Sequence, residues 1–134
     1  MTPEALVALA KQAMQRAYAP YSGYKVGAAL LTKAGKVYQG CNIENAAFGP
    51  SNCAERTAFF TAVYEGERAF AAIAVVGGKD GVVTDIFPPC GVCRQVLREF
   101  APNMEVICLN GAGEEQVFTL PELLPHSFGP EFLA

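Results

Sequence analysis

The feature that most constrains the fold is an uninterrupted apolar run, Ala71 to Val76, which ends at Gly77-Gly78 and lies between two segments of helical periodicity. The flanking segments, Cys53 to Glu65 and Cys90 to Phe100, carry apolar residues at the spacing of one helix face. A strand without polar residues is typical of a sheet that is covered on both faces. We therefore expect an α/β fold in which Ala71 to Val76 is a central strand closed by the two glycines.

The remaining segments complete one mixed sheet. In chain order they are a helix from Pro3 to Ala17, strands Val26 to Leu31 and Lys36 to Cys41, a strand Glu105 to Leu109, an edge strand Glu115 to Phe118 and a short helix near Thr119. The turn at Ala34-Gly35 predicts a hairpin, and the later strand, helix, strand order implies a parallel crossover. The predicted architecture is a three-layer α/β/α sandwich with a mixed sheet of about five strands, formed by one domain over residues 1–134.

Cysteines stand at the start of both helices that flank the central strand, in C-A-E at 53–55 and P-C-G-V-C at 89–93. Three thiolates can bind zinc and leave the fourth tetrahedral position to water, as in a catalytic site. Cys90 and Cys93 share one face of a first helical turn, where free amide groups stabilise negative sulfur. The spacing therefore predicts a zinc site formed by Cys53, Cys90 and Cys93.

Glu55 follows the first proposed ligand by two residues, so its carboxylate can reach a water on the metal without binding the metal itself. Zinc lowers the pKa of bound water from about 15.7 toward about 7, and a neighbouring carboxylate can then act as a general base. This pairing suits hydrolysis of a carbon–nitrogen bond. Three thiolates on Zn²⁺ leave a net negative charge, which Arg56 and the two helix N-termini are expected to offset.

Two other interpretations of the cysteines are open. A redox pair of the thioredoxin type uses C-x-x-C, although that motif has no C-x-E partner upstream. A closed structural zinc site needs a fourth ligand, which Cys41, Cys108 or His126 could supply. Cys41 and Cys108 end apolar strand segments and are better explained as core residues, and His126 is assigned no chemistry.

The charge pattern argues against a nucleic-acid partner. The ten Lys and Arg residues are scattered singly, the formal net charge is -3, and a small-molecule substrate is favoured. The N-terminal segment lacks the pattern of a secretory signal, and no apolar run is long enough to cross a membrane, so a cytoplasmic protein without a membrane partner is expected. Five cysteines in such a chain indicate metal binding or catalysis rather than disulfides.

The C-A-E and P-C-x-x-C pair resembles the signature of zinc deaminases, in the variant whose first ligand is Cys. Four further segments, A-P-Y-S at 19–22, V-G-A-A-L at 26–30, G-C-N-I-E-N-A at 40–46 and C-G-V-C-R-Q at 90–95, are similar to small homotetrameric cytidine deaminases. The similarity extends over nearly the whole chain.

This resemblance implies hydrolysis of cytidine and deoxycytidine to uridine and deoxyuridine with release of ammonia, a reaction of pyrimidine salvage. It implies one Zn²⁺ per subunit, attack of the zinc-activated hydroxide on C4 of the base, and proton transfer by Glu55 to N3 and to the departing amine. It also implies a homotetramer with shared active sites.

The same resemblance implies a set of substrate-binding residues. They are Tyr24, Asn42, Glu44, Ala46, Phe48, Ala54 and Phe128. Asn42 and Glu44 would bind the ribose, and Phe128 would stack on the base from a neighbouring subunit. On spacing alone, loop capping is the favoured explanation of Asn42 and Glu44, and only the family resemblance reverses this. Tyr24 stands where family members commonly have Phe, which affects fine specificity rather than the reaction class.

Two other functions are compatible with the same zinc ligands or with the same metal. The first is another zinc deaminase, acting on a nucleoside-like antibiotic such as blasticidin or on a base in RNA or DNA. The second is a non-enzymatic binding module that zinc stabilises, which would bind no cytidine and would unfold on chelation.

Overall fold

The computed structural model describes residues 1–134 and contains five strands, four α-helices and one 3₁₀ turn. The strands are β1 (Tyr24–Thr32), β2 (Val37–Cys41), β3 (Phe70–Lys79), β4 (Glu105–Leu109) and β5 (Glu115–Thr119). The helices are α1 (Pro3–Met14), α2 (Ala54–Tyr64), α3 (Gly91–Phe100) and α4 (Leu120–Leu123), and the 3₁₀ turn is Pro130–Phe132. None of the helices combines the length and the apolarity needed to cross a membrane.

The strands form one sheet in the order β2-β1-β3-β4-β5. The β3–β4 pair is parallel, as the crossover through α3 predicted, and the other three pairs are antiparallel. β3 is the central strand, and its residues alternate between the two faces. Ile73 and Val75 belong to one apolar cluster, whereas Ala72, Ala74 and Val76 belong to the other.

Helices cover both faces of this sheet. Leu6, Ala10 and Met14 of α1 pack against one face, and Phe59 of α2 with Leu97 of α3 packs against the opposite face. The two cysteine-bearing helices therefore lie on the same side, and the predicted three-layer α/β/α sandwich with a mixed five-stranded sheet is confirmed.

The prediction that Gly77-Gly78 closes the central strand is wrong. β3 continues to Lys79, and Gly77 and Gly78 pair with Val26 and Lys25 of β1. The second glycine is needed for a close approach, because a Cβ on Gly78 would lie 1.9 Å from the carbonyl oxygen of Val82. The extended strand brings Lys79 beside Tyr24, at the edge of the site described below.

The first helix is shorter than its apolar pattern suggested, because it ends at Met14 instead of Ala17. The backbone N–H of Tyr18 donates to the carbonyl oxygen of Asn42, and Tyr18 forms a parallel bridge with Ile43. Tertiary pairing with the loop after β2 therefore draws this part of the chain away from the helix.

Gly40 of β2 brings the start of α2 onto the sheet. A Cβ at this position would lie 2.5 Å from the carbonyl oxygen of Ala54 and 2.5 Å from the backbone nitrogen of Ala58. A glycine is thus required for the helix to pack at this distance, and the packing fixes where Cys53 and Glu55 stand.

Candidate active site

The N-termini of α2 and α3 meet, and each begins with a cysteine. Cys53 and Cys90 are the N-cap residues of the two helices, and neither sulfur caps its own helix by a hydrogen bond. Their Sγ atoms lie 3.7 Å apart. Cys93 adds a third sulfur from the first turn of α3, and the three Sγ atoms all lie within 4.8 Å of one another.

This donor set fits zinc. Tetrahedral zinc with Zn–S bonds near 2.3 Å separates two sulfur ligands by about 3.8 Å, close to the distance between Cys53 and Cys90. No fourth His, Cys, Asp or Glu joins the cluster. Cys108 is buried in the core, and the Cys41 thiol donates to the carbonyl oxygen of Arg16 at 3.4 Å. The cluster therefore matches a site with one open position better than a closed structural site.

Arg56 supplies positive charge to this cluster. Its Nη2 donates to Sγ of Cys53 at 3.2 Å, and its buried Nε has no hydrogen-bond partner. A hydrogen bond from the Cys93 thiol, together with those from Arg56 and Cys90, lowers the pKa of Cys53 to about 5. The pKa of Cys93 is raised, because its proton is held in the bond to Cys53 and its thiol is partly buried. The first turn of α2 thus carries both a ligand and its counter-charge.

Glu55 lies beside the sulfurs with only 4% of its surface exposed. Burial raises the pKa of this carboxyl to about 7. At neutral pH the side chain can therefore both accept and donate a proton, which is the property that general acid–base catalysis needs.

A cavity of about 230 Å³ opens beside the cluster. Its lining residues come from the start of β1, the loop after β2, the start of α2 and the loop before α3. They are Ser22, Tyr24, Val26, Asn42, Glu44, Ser51, Asn52, Cys53, Ala54, Glu55, Phe87, Pro88 and Cys90. The structure thus brings Tyr24, Asn42, Glu44 and Ala54 into one pocket with Glu55 and two of the three sulfurs.

Hydrogen bonds hold the side chains of Asn42 and Glu44 in place at one end of the pocket, next to the start of β1. The amide of Asn42 accepts from the backbone N–H of Val26 at 2.9 Å and donates to the carbonyl oxygen of Tyr24 at 2.8 Å. The carboxylate of Glu44 accepts from the Ser22 hydroxyl and from the N–H groups of Ser22 and Tyr21. The Ser22 hydroxyl is the largest of the causes that lower the pKa of Glu44, so this carboxylate is charged at neutral pH.

The family model for the cytidine and deoxycytidylate deaminase zinc-binding region matches residues 1–109. The chain belongs to this family. The match confirms the resemblance stated from the cysteine motifs, and it covers all three sulfur positions as well as Glu55.

Relatives and solved structures of the family align along almost the full chain. A cytidine deaminase from Sporosarcina psychrophila is 49% identical over 100% of this chain and 96% of its own length. The crystal structure of cytidine deaminase from Burkholderia pseudomallei superposes with a TM-score of 0.89 at 51% identity, covering 96% of this chain and 100% of that one. The corresponding Mycobacterium tuberculosis structure gives a TM-score of 0.81 at 36% identity, over 96% and 98% of the two chains. The fold is therefore that of the family.

Three of the predicted substrate-binding residues lie outside the pocket of a single chain. Ala46 and Phe48 are exposed on the loop after β2, and the Phe48 ring meets Tyr21 edge-on with centroids 6.4 Å apart. Phe128 is exposed near the C-terminus and stacks on Phe132, with centroids 5.3 Å apart. Neither ring lines the 230 Å³ cavity of its own chain, although Phe48 lines a neighbouring cavity together with Ser22 and Glu44.

Sequence reasoning missed Ser22, Phe87 and Pro88 as pocket residues. Ser22 belongs to the A-P-Y-S segment, but nothing in its local pattern indicates a partner 22 residues away at Glu44. Phe87 and Pro88 directly precede the P-C-x-x-C motif, and this adjacency is a signal that could have identified them.

Proposed function

We propose that the protein is a zinc-dependent hydrolase that converts cytidine to uridine and deoxycytidine to deoxyuridine, with release of ammonia. One observation carries the proposal: the three-sulfur cluster and the buried Glu55 share a nucleoside-sized pocket with Asn42 and Glu44. Membership of the deaminase family supports the same reaction class.

Cys53, Cys90 and Cys93 hold one Zn²⁺ in this proposal. Zinc, when bound there, supplies a Lewis acid that makes a water molecule nucleophilic at neutral pH. Arg56 compensates part of the negative charge of the three thiolates, because its guanidinium contacts Sγ of Cys53.

Glu55 moves the protons. Its carboxylate takes a proton from the attacking water and delivers it to N3 of the base as the new bond forms at C4. It then carries the second proton of that water to the exocyclic nitrogen, which leaves C4 as ammonia. A pKa raised to about 7 by burial suits a group that must both accept and donate. Water and cytidine are thereby converted to uridine and ammonia.

The other pocket residues position the nucleoside. Asn42 and Glu44 hydrogen-bond the ribose, and their orientation is fixed beforehand by β1 and by Ser22. Ala54 borders the base next to Glu55. Tyr24 lines the same pocket, and its hydroxyl affects fine specificity.

The proposal includes a homotetramer with shared active sites, in which Phe128 of one subunit stacks on the base in another. Ala46 and Phe48 contribute to the same shared pocket. The exposure of both phenylalanine rings supports this arrangement. A chain truncated before Ser127 should keep its zinc but lose most of its activity, and sedimentation should give the mass of four 14.2 kDa chains. Full activity in the truncated chain would rule out the shared site.

Free nucleosides are the proposed substrates, and neither nucleic acid nor a membrane is a proposed partner. The net charge of -3 and the scattered basic residues support this choice. The protein is further proposed to be cytoplasmic and to consist of a single domain over residues 1–134.

The decisive test is ultraviolet monitoring of the zinc-loaded protein with cytidine, with free cytosine and the chelated apoprotein as controls. Turnover of cytidine that chelation abolishes and zinc restores is expected. A folded, zinc-loaded protein that leaves cytidine unchanged would refute the proposal and direct the search to nucleoside-like antibiotics. Binding of zinc without any turnover, together with unfolding on chelation, would indicate the structural module.

A further inference from the structure

Lys79, the last residue of β3, contacts the ribose end of the pocket from outside. Its ammonium donates to the carbonyl oxygen of Ser22 at 2.7 Å and lies 5.3 Å from the centroid of the Tyr24 ring. Ser22 and Tyr24 both line the cavity, whereas Lys79 itself does not. The lysine therefore meets two pocket residues without reaching the space that a nucleoside would occupy.

The ammonium of Lys79 contacts the side of the pocket that Ser22 and Tyr24 form. The one ion pair of the structure joins Arg98 to Glu131, so Lys79 is not in an ion pair with any carboxylate. The backbone beside it makes a second link, because the N–H of Asp80 donates to the carbonyl oxygen of Gly23 at 2.7 Å.

Ser22 connects these contacts to Glu44, the residue proposed to bind the ribose. Ser22 uses its hydroxyl to donate to the Glu44 carboxylate, and that same hydroxyl accepts from the backbone N–H of Tyr24 at 3.0 Å. Gly23, between them, has a φ of +74°, so this turn is held in a conformation that few residues other than glycine adopt. A side chain that holds the Ser22 carbonyl therefore also holds the hydroxyl that orients Glu44.

We propose that Lys79 is a positioning residue for nucleoside binding, which sets the Ser22–Glu44 pair and the Tyr24 ring at the ribose end of the pocket. The inference rests on the proposed cytidine deaminase activity. Lys79 acts on KM rather than on kcat, because its contacts are on β1 and the preceding turn, whereas Glu55 and the sulfurs are on α2 and α3.

The test compares Lys79→Met with Lys79→Arg and with Lys25→Met as a matched control. Lys25 is the neighbour of Tyr24 on β1, and its ammonium donates no hydrogen bond. K79M should raise KM for cytidine by about three- to tenfold, the size expected for the loss of one ordinary intramolecular hydrogen bond. Its kcat and zinc content should stay at wild-type values. K79R should restore KM to within about twofold, because arginine keeps both the charge and the donor.

A spectroscopic measurement on the same proteins follows the contact directly. The backbone ¹³C resonance of the Ser22 carbonyl should shift in K79M and stay near its wild-type position in K25M. An unchanged KM in K79M, an equal rise in K25M, or a loss of kcat and zinc at unchanged KM would overturn the proposal. A wild-type protein that does not turn over cytidine would refute the proposed function instead. The Ser22 resonance would then still show whether Lys79 donates to the Ser22 carbonyl oxygen in solution.

Discussion

Nη2 of Arg56 lies 3.2 Å from Sγ of Cys53, one helical turn away on α2, and donates a hydrogen bond to that sulfur. The contact places a fixed positive charge against a cluster whose three thiolates exceed the charge of Zn²⁺. A metal site with excess negative charge acidifies its water less effectively. The position of α2 therefore determines how much of the cluster's negative charge Arg56 can offset.

Arg56→Gln should lower kcat for cytidine and weaken zinc retention against a chelator. At least one of these two quantities should change by about 10- to 100-fold. Glutamine keeps a hydrogen-bonding side chain but removes the charge. Arg68→Gln is the matched control, because Arg68 donates only to backbone carbonyls near the C-terminal end of α2. Wild-type kcat and zinc retention in the Arg56 variant would contradict a charge-compensating role.

Glu55→Ala should bind stoichiometric zinc and lose at least about 100-fold in kcat, the usual contribution of a positioned general acid–base group. Glu55 is not one of the three sulfur donors, so metal analysis should separate loss of chemistry from loss of the site. Steady-state kinetics with cytidine measures the first quantity, and elemental analysis measures the second. A near wild-type rate in this variant would remove Glu55 from the mechanism.

The cysteine motifs could be interpreted from sequence because their chemistry is local. A helix N-terminus, a C-x-x-C spacing and a carboxylate two residues after a ligand are visible in short segments. Their convergence follows once both helices lie on one face of a sheet. The confirmed zinc family and the three-layer fold rest on these local signals.

The pocket wall was not predictable in the same way, because long-range pairing builds it. Glu44 meets Ser22 only after Tyr18 has left the helical pattern to pair with Ile43. Lys79 reaches Ser22 only because β3 continues through two glycines that look like a strand end. Local propensity cannot indicate such contacts, since the energy that fixes them comes from tertiary packing.

Cys90→Ser should lower the zinc content after chelator challenge by removing one of three sulfur donors. Cys41→Ser makes the same substitution in a half-buried thiol that donates to the carbonyl oxygen of Arg16, a bond that a serine hydroxyl can replace. The Cys41 variant should therefore retain one zinc per chain. Equal zinc loss in both variants would show that the assigned ligand set is wrong.

Gly40→Ala should destabilise the protein by about 1–3 kcal/mol, because the new methyl group overlaps the backbone of α2. The overlap falls at Ala54, so kcat should drop as well when Cys53 and Glu55 shift. Gly49→Ala is the control, since a Cβ there meets nothing within 4 Å. Thermal unfolding and cytidine kinetics measure both effects. If the two alanine variants are equally stable, the close approach at Gly40 does not limit the fold.

Ser22→Ala should raise the pKa of Glu44 toward the ordinary glutamate value of about 4.3, because it removes the hydroxyl that most lowers that pKa. A carboxyl with a lowered pKa in the folded state contributes stability above its unfolded pKa and loses it as the pH falls through the folded value. The variant should therefore have a smaller contribution of this kind than the wild type, and the part that remains should be lost at a higher pH. A ¹³C titration of the Glu44 carboxyl measures the shift. Glu122 is the internal control, because backbone and hydroxyl contacts of Thr119 lower its pKa independently of Ser22. An unchanged Glu44 titration would mean that the hydroxyl does not orient this carboxylate.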